Sequence, residues 1–147
     1  MEGEEALRKF CMAQREEMLK ADVQGIVQAM SSLLPNVDKK ALTDSDDFGP
    51  MLVETIHVGL KNGVDGWVDD DLAMMKHWGF ELSEIKCPVF LYQGSEDKMV
   101  PYGHGQWVAK RIPSKFLTEH LEDGEGHISI FMGRVEGMMD ELLSVPH

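Results

Sequence analysis

The chain is 147 residues long and carries 14 basic against 26 acidic side chains, a formal net charge of −12 at pH 7. That length fits one ordinary domain, and a composition of 43% hydrophobic and 27% charged residues is that of a globular chain rather than a disordered one. The acidic balance argues against a nucleic-acid or anionic-membrane partner, each of which needs basic patches, and reads most simply as solubility.

The N-terminus, Met1-Glu2-Gly3-Glu4-Glu5, is acidic and no apolar core follows it, so no signal peptide is expected. From about Glu4 to Lys20, the residues Leu7, Phe10, Cys11 and Met18 share one face and predict a helix. Asp22 is a candidate N-cap for a second helix. In it Val23, Ile26, Val27, Met30, Leu33 and Leu34 follow at spacings of three and four until Pro35 stops it. Asp44-Ser45-Asp46-Asp47 reads as a loop into a third helix with Leu52, Ile56 and Leu60 on its face, closed by Asn62-Gly63. A fourth helix carries Val68, Leu72 and Met75 and ends at Trp78-Gly79. The acidic runs 44–47 and 69–71 read as solvated caps and loops, because they lack the glycine and terminal glutamate of an EF-hand. No apolar run approaches membrane-spanning length.

Beyond Phe80 the pattern changes. Cys87-Pro88 stops any helix, and Val89-Phe90-Leu91-Tyr92-Gln93 is a short apolar run ending at Gly94. Without alternation, such a run predicts a strand buried on both faces of a parallel sheet. A loop from Gly94 to Pro101 leads to a helix with Trp107, Val108 and Ile112, broken by Pro113. Phe116 to Leu121 predicts a second strand, Glu122 to Gly126 a second loop. A last helix follows with Phe131, Val135, Met138 and Leu142 on its face. The order is four helices, then strand, loop, helix, strand, loop, helix, which is the tail of a β-α-β sheet protein. Residues 1–80 and 81–147 divide naturally near Phe80. Cys11 and Cys87 form no C-x-x-C pair and allow at most one bridge, so the reducing cytoplasm is the expected compartment.

Each of the two loops leaves the C-terminal end of a predicted parallel strand, the edge where open α/β sheets build their sites. The first reads Gly94-Ser95-Glu96-Asp97-Lys98-Met99-Val100-Pro101 and the second Asp123-Gly124-Glu125-Gly126-His127. The ordered set "PVFLYQGSEDKMVP", a helix, "IP", a strand and "DGEGH" opening a helix resembles the C-terminal portion of α/β-hydrolases. Upstream, "DGWVDDDLAMMKHWGF" resembles the return from cap to core in the cap-bearing members. The resemblance implies an α/β fold: a helical cap-like region over residues 1–80, then about two parallel strands with helices from the C-terminal part of the hydrolase sheet. It implies that Asp97 is the acid that orients the histidine and that His127 is the general base of a Ser-Asp-His triad. It also implies hydrolysis of an ester or amide bond in a small, partly apolar acyl substrate, with no cofactor and no metal.

The nucleophile of that triad should sit on a G-x-S-x-G turn ahead of both residues, and none of the eight serines has glycines on both sides at that spacing. Neither cysteine lies on a strand-to-helix elbow. The chain therefore reads as a partial hydrolase, inactive in isolation. Its alternative reading is a non-catalytic binding or assembly module on the same scaffold. The apolar run 89–93 reads as an interior strand that, in the intact fold, would also pair with a strand this chain does not encode, so self-association or a complementing chain with the N-terminal half is expected.

Plainer readings stand beside these. Asp97 fits a turn or cap residue, and His127 fits the N-cap of the last helix. Glu96 and Asp123 are neighbouring carboxylates that compete with Asp97 for the acid role. The stretch His120 to His127 has imidazoles and carboxylates but no ligand pair on one helix turn or a tight knuckle, which argues against a metal. His104, beside Trp107 at a helix start, reads as a surface histidine within reach of the site mouth. His57 and His77 read as core or surface residues of the helical part, and the 11 methionines as gap fillers in cores.

Overall fold

The computed structural model describes residues 3–145, and its described part is mixed α/β, with seven α-helices and a two-stranded parallel sheet. No described helix is long and apolar enough to cross a membrane. The chain divides into two compact units, one made of residues 3–29 with 46–79 and the other of residues 30–45 with 80–145. The segment 30–45 therefore leaves the helices that flank it in sequence and joins the strands.

The first unit is helical. Helix α1 (Glu4–Met18) opens on Glu4 and Glu5 and closes with Arg15, the charge order that opposes the helix dipole. Glu5 and Lys9 pair at 2.9 Å one turn apart. Cys11 of α1 is fully buried with Val64 and with Val68 of α5 (Asp65–Met74), and Leu7, Trp67 and Leu72 pack around them. Burial and the nearby charge of Asp71 push the Cys11 thiol up. Phe10, expected on this face, is 58% exposed. Arg15 donates from Nε to the Leu60 carbonyl at 2.6 Å and from Nη2 to the Lys61 carbonyl at 2.9 Å. It thereby adds a side-chain cap to the last carbonyls of α4 (Phe48–Leu60).

The expected second helix is shorter than its apolar pattern. Helix α2 (Val23–Ala29) stops before Ser31 and Ser32, and a turn follows. Serine side chains compete for backbone partners, and two in succession weaken a helix that has only spacing in its favour. Beyond the turn, Pro35 does not merely end a helix; it is the N-cap of α3 (Asn36–Thr43), a helix that the apolar spacing does not predict. Leu34, Asp38 and Leu42 follow at intervals of four and are each buried to within 1% of completely. They form the inward stripe of this segment.

In the second unit, β1 (Val89–Gly94) runs parallel to β2 (Leu117–Glu122), in register from Val89 opposite Leu117 to Gly94 opposite Glu122. Helix α6 (Tyr102–Ala109) packs on both strands. The expectation of a strand buried on both faces is met only at its end: Val89 to Tyr92 are half-buried, and Gln93 and Gly94 are buried. The last helix also differs from expectation. It does not begin at His127. Residues 127–134 form successive turns, Gly133 takes a φ of +72° that ends any helical run, and α7 spans Val135–Leu143.

Helix α7 is clasped to the sheet by a polar cluster. Tyr92 and His120 are register partners whose rings stack at 4.1 Å between centroids and 8° between planes. Glu141 reaches down from α7, accepts the Tyr92 hydroxyl and lies 3.0 Å from His120 Nε2. The Glu141 hydrogen bond, with burial, pushes the Tyr92 phenol up to about 12, and the same bond holds the Glu141 carboxyl below its ordinary range. A raised tyrosine pKa means stability that is complete below the unfolded value of about 10 and lost as pH rises through the folded value. The depressed Glu141 works the other way: its contribution is present above about pH 4.3 and lost as pH falls through its folded value. Absorbance titration should therefore show one tyrosinate transition near pH 12. Tyr92→Phe should remove that transition, and Glu141→Gln should move it toward ordinary tyrosine. A native chain whose two tyrosines both ionise at the ordinary value would refute the clasp.

Candidate functional site

Because β1 and β2 run in the same direction, the loops that follow them leave from one edge of the sheet, side by side. Backbone bonds stitch the loops together. The Ser95 N–H donates to the Glu122 carbonyl and the Glu96 N–H to the Glu125 carbonyl, each at 2.8 Å. Gly94 is where the chains approach most closely. A Cβ there would run into the carbonyl oxygens of Glu125 and Gly126, so only glycine fits. Gly124, at a φ of +77°, makes the turn of the second loop.

The Asp97 carboxylate meets the His127 imidazole across this seam, with Oδ2 2.9 Å from Nδ1. Its other oxygen, Oδ1, accepts the Met99 N–H at 2.9 Å and the Val100 N–H at 2.8 Å. The Asp97 side chain is 5% exposed and the His127 side chain 41% exposed. The carboxylate is thus a buried, fully satisfied acceptor, and the imidazole is an open group held at one nitrogen. An ionised Asp97 makes Nδ1 the protonated nitrogen and leaves the Nε2 lone pair free to take a proton. The turn-residue reading of Asp97 is true of its Oδ1, which closes its own loop, while Oδ2 serves the histidine. The N-cap reading of His127 does not hold, since no α-helix begins there.

The competing carboxylates are occupied or turned away. Asp123 accepts the Ser95 hydroxyl at 3.0 Å, and that hydroxyl accepts the Gly124 N–H at 2.9 Å. Glu96 is exposed. His120 belongs to the Tyr92–Glu141 cluster, so the two histidines of the 120–127 stretch have separate partners. Among the described residues, no group of three or more His, Cys, Asp or Glu side chains is placed to hold a metal. Ser129 accepts the Gly126 N–H at 2.8 Å. The Ser95 and Ser129 hydroxyls, in and beside the two loops, are engaged with Asp123, Gly124 and Gly126 rather than with His127.

His127 opens onto a cleft of about 450 Å³ whose walls are mainly apolar, including Leu91, Val108, Ile130, Phe131 and Met138. His104 also lines it and is exposed, as a surface histidine near the site mouth should be. Gln93, buried at the end of β1, donates to the Val100 carbonyl at 2.7 Å and so pins the Asp97 loop from below. Sequence reasoning did not single out Gln93, although a lone amide ending an apolar strand is a visible signal of a buried polar contact. It missed Asp38 as well. The Asp38 carboxylate, wholly buried, accepts the N–H groups of His127 at 2.9 Å, Ile128 at 3.0 Å and Ser129 at 2.9 Å.

No family model, no curated protein and no solved structure matches this chain.

The seam has a direct mechanical consequence. Gly94→Ala should destabilise the chain by about 1–3 kcal/mol, the usual cost of forcing a methyl into filled space. It should also loosen the contact between Asp97 and His127. Urea unfolding reads the first effect, and the exchange rate of the His127 ring proton reads the second. An alanine variant as stable as the parent would show that the two loops are not packed as described.

Proposed function

We propose that this chain is the C-terminal part of an α/β-hydrolase, with Asp97 and His127 as the acid and base of a serine-hydrolase triad whose attacking serine comes from outside this sequence. The observation that carries the reading is the 2.9 Å approach of Asp97 Oδ2 to His127 Nδ1 between loops at the C-terminal ends of adjacent parallel strands. With a serine hydroxyl against Nε2, His127 would take the hydroxyl proton as oxygen attacks the acyl carbon. Asp97 would stabilise the resulting imidazolium, and the same proton would then pass to the leaving alcohol or amine. The apolar cleft beside His127 suits the acyl portion of a small ester or amide. The helices of residues 3–29 and 46–79 take the part of the cap, and the two free thiols suit a cytoplasmic setting.

A second reading is a non-catalytic binding or assembly module. What favours it is that the hydroxyls of the two loops, Ser95 and Ser129, are engaged away from His127 while the cleft beside it is open. Both readings share one partner surface. Val89 to Gln93 contain neither a charge nor a proline, and the described sheet ends at β1, so this edge suits pairing with a second chain.

The isolated chain is expected to leave p-nitrophenyl acetate hydrolysis at the level of a heat-denatured sample and to take no fluorophosphonate label. A labelled serine in this chain, lost in His127→Ala, would overturn the assignment of the nucleophile to another segment. Nitrogen-resolved NMR of His127 tests the base itself. The Nδ1–H tautomer is expected, and a proton resident on Nε2 would rule out the role. For the edge, light scattering at micromolar concentration should detect self-association. A monomer with slow amide exchange throughout Val89 to Gln93 would refute that part.

A further inference from the structure

We infer that Asp38 is a positioning residue for His127, an internal anion that holds the backbone of the base just as Asp97 holds its ring. The inference rests on the reading of His127 as the base and goes beyond the triad, because Asp38 comes from a segment 89 residues earlier in the chain.

His127 cannot be fixed by packing, since two-fifths of its side chain is exposed. It cannot be fixed by a regular element either, because residues 127–134 are turns. What remains are two carboxylates. Asp97 takes Nδ1. Asp38 takes the main chain: Oδ2 accepts the His127 N–H, while Oδ1 accepts those of Ile128 and Ser129. Three successive N–H groups converging on one acceptor form an anion-holding nest, and a carboxylate is the side chain that can accept from all of them. Among the described residues, no lysine, arginine or histidine forms an ion pair with Asp38, so these amides are its partners. Gly126 confirms how closely it is seated, because a Cβ at that position would run into the Asp38 carboxyl group. Leu34, just before the helix, and Leu42, one turn on, are buried as completely as Asp38 is. Loss of the carboxylate would free the N-terminal side of His127 and let the ring swing off Asp97.

The division of labour between the two oxygens supplies a selective variant. In Asp38→Asn the amide oxygen can keep both the Ile128 and Ser129 bonds, which places the NH₂ against the His127 N–H. Donor then faces donor at the one contact under test. The expected result in the full chain is a fall of about tenfold or more in amide protection at His127, the scale of one lost hydrogen bond. The ring Nδ1 proton should exchange faster by a comparable factor, while the Tyr92 transition at the α7 clasp is unchanged. Asp38→Ala empties the nest, and added formate should restore the slow Nδ1 proton where chloride does not.

Asn and Ala variants that fold and keep both His127 protons as well protected as the parent would overturn the inference. So would loss of folding in both variants with no recovery on formate, since Asp38 would then hold up the unit rather than place the base. Asp97→Asn separates the two ideas. If it leaves the Nδ1 proton untouched, the proposed triad fails, whereas His127 amide protection still reports on Asp38 alone.

Discussion

Parallel pairing of β1 with β2 is the constraint from which the site follows. Had the strands run antiparallel, their trailing loops would leave from opposite ends of the sheet, and a carboxylate in one would not face an imidazole in the other. With Gly94 opposite Glu122, the next residues of each strand start level. Two inter-loop amide bonds and the methyl-free Gly94 then keep the seam closed. The short sheet thus sets the separation and the loops set the aim. A site built this way needs few strands, because its geometry is fixed within a few residues of one sheet edge.

Within that frame, carboxylates do most of the placing, and each accepts from more than one donor. Asp97 joins its own loop to the histidine, Asp38 joins a distant helical segment to the turn that bears the histidine, and Glu141 joins α7 to the paired rings on β1 and β2. A buried carboxylate without partners is strongly destabilising, so Asp97 and Asp38 are tolerable only with their donors. That requirement is also what makes them specific. Each donor set fixes the carboxylate in direction as well as position, whereas an apolar residue of the same size would hold nothing at a fixed angle.

The legible parts of the sequence were those with local causes. Val89 to Gly94 has the composition of a strand, Pro88 precedes it and Gly94 ends it, and the resemblance carried by the two loops implied Asp97 and His127 as partners. The parts that could not be read depend on non-local contacts or on competition between local preferences. The apolar spacing of residues 23–34 promised one helix, but Ser31 and Ser32 break it and Pro35 restarts the chain as α3. The spacing of Phe131, Val135 and Met138 carried the last helix back to His127, and Gly133 with its positive φ was overlooked. Asp38 leaves a trace in the sequence, a carboxylate between Leu34 and Leu42 on an otherwise apolar stripe. That trace says only that something must satisfy it. The donors that do so lie 89 to 91 residues away and are backbone amides, which have no sequence signature.

These contacts also explain why His127 can be both exposed and ordered. An open imidazole on a turn has every reason to rotate, and ordering it costs conformational entropy that a surface position does not return. Here the cost is met by bonds made away from Nε2, at Nδ1 and at the main-chain N–H. Nε2 is left without a claim on it, facing a cleft of mainly apolar walls. Preorganisation of this kind stabilises a transition state because nothing has to be reoriented when a proton moves. It also has a consequence for any group that comes to Nε2. A neutral ring pinned through Nδ1–H can only accept there, so the approaching group must carry a proton to give. A hydroxyl delivered against the open nitrogen meets that condition, and a carbonyl oxygen or a carboxylate does not unless the ring is first protonated. The geometry behind the proposed base therefore also sets the polarity of whatever approaches Nε2.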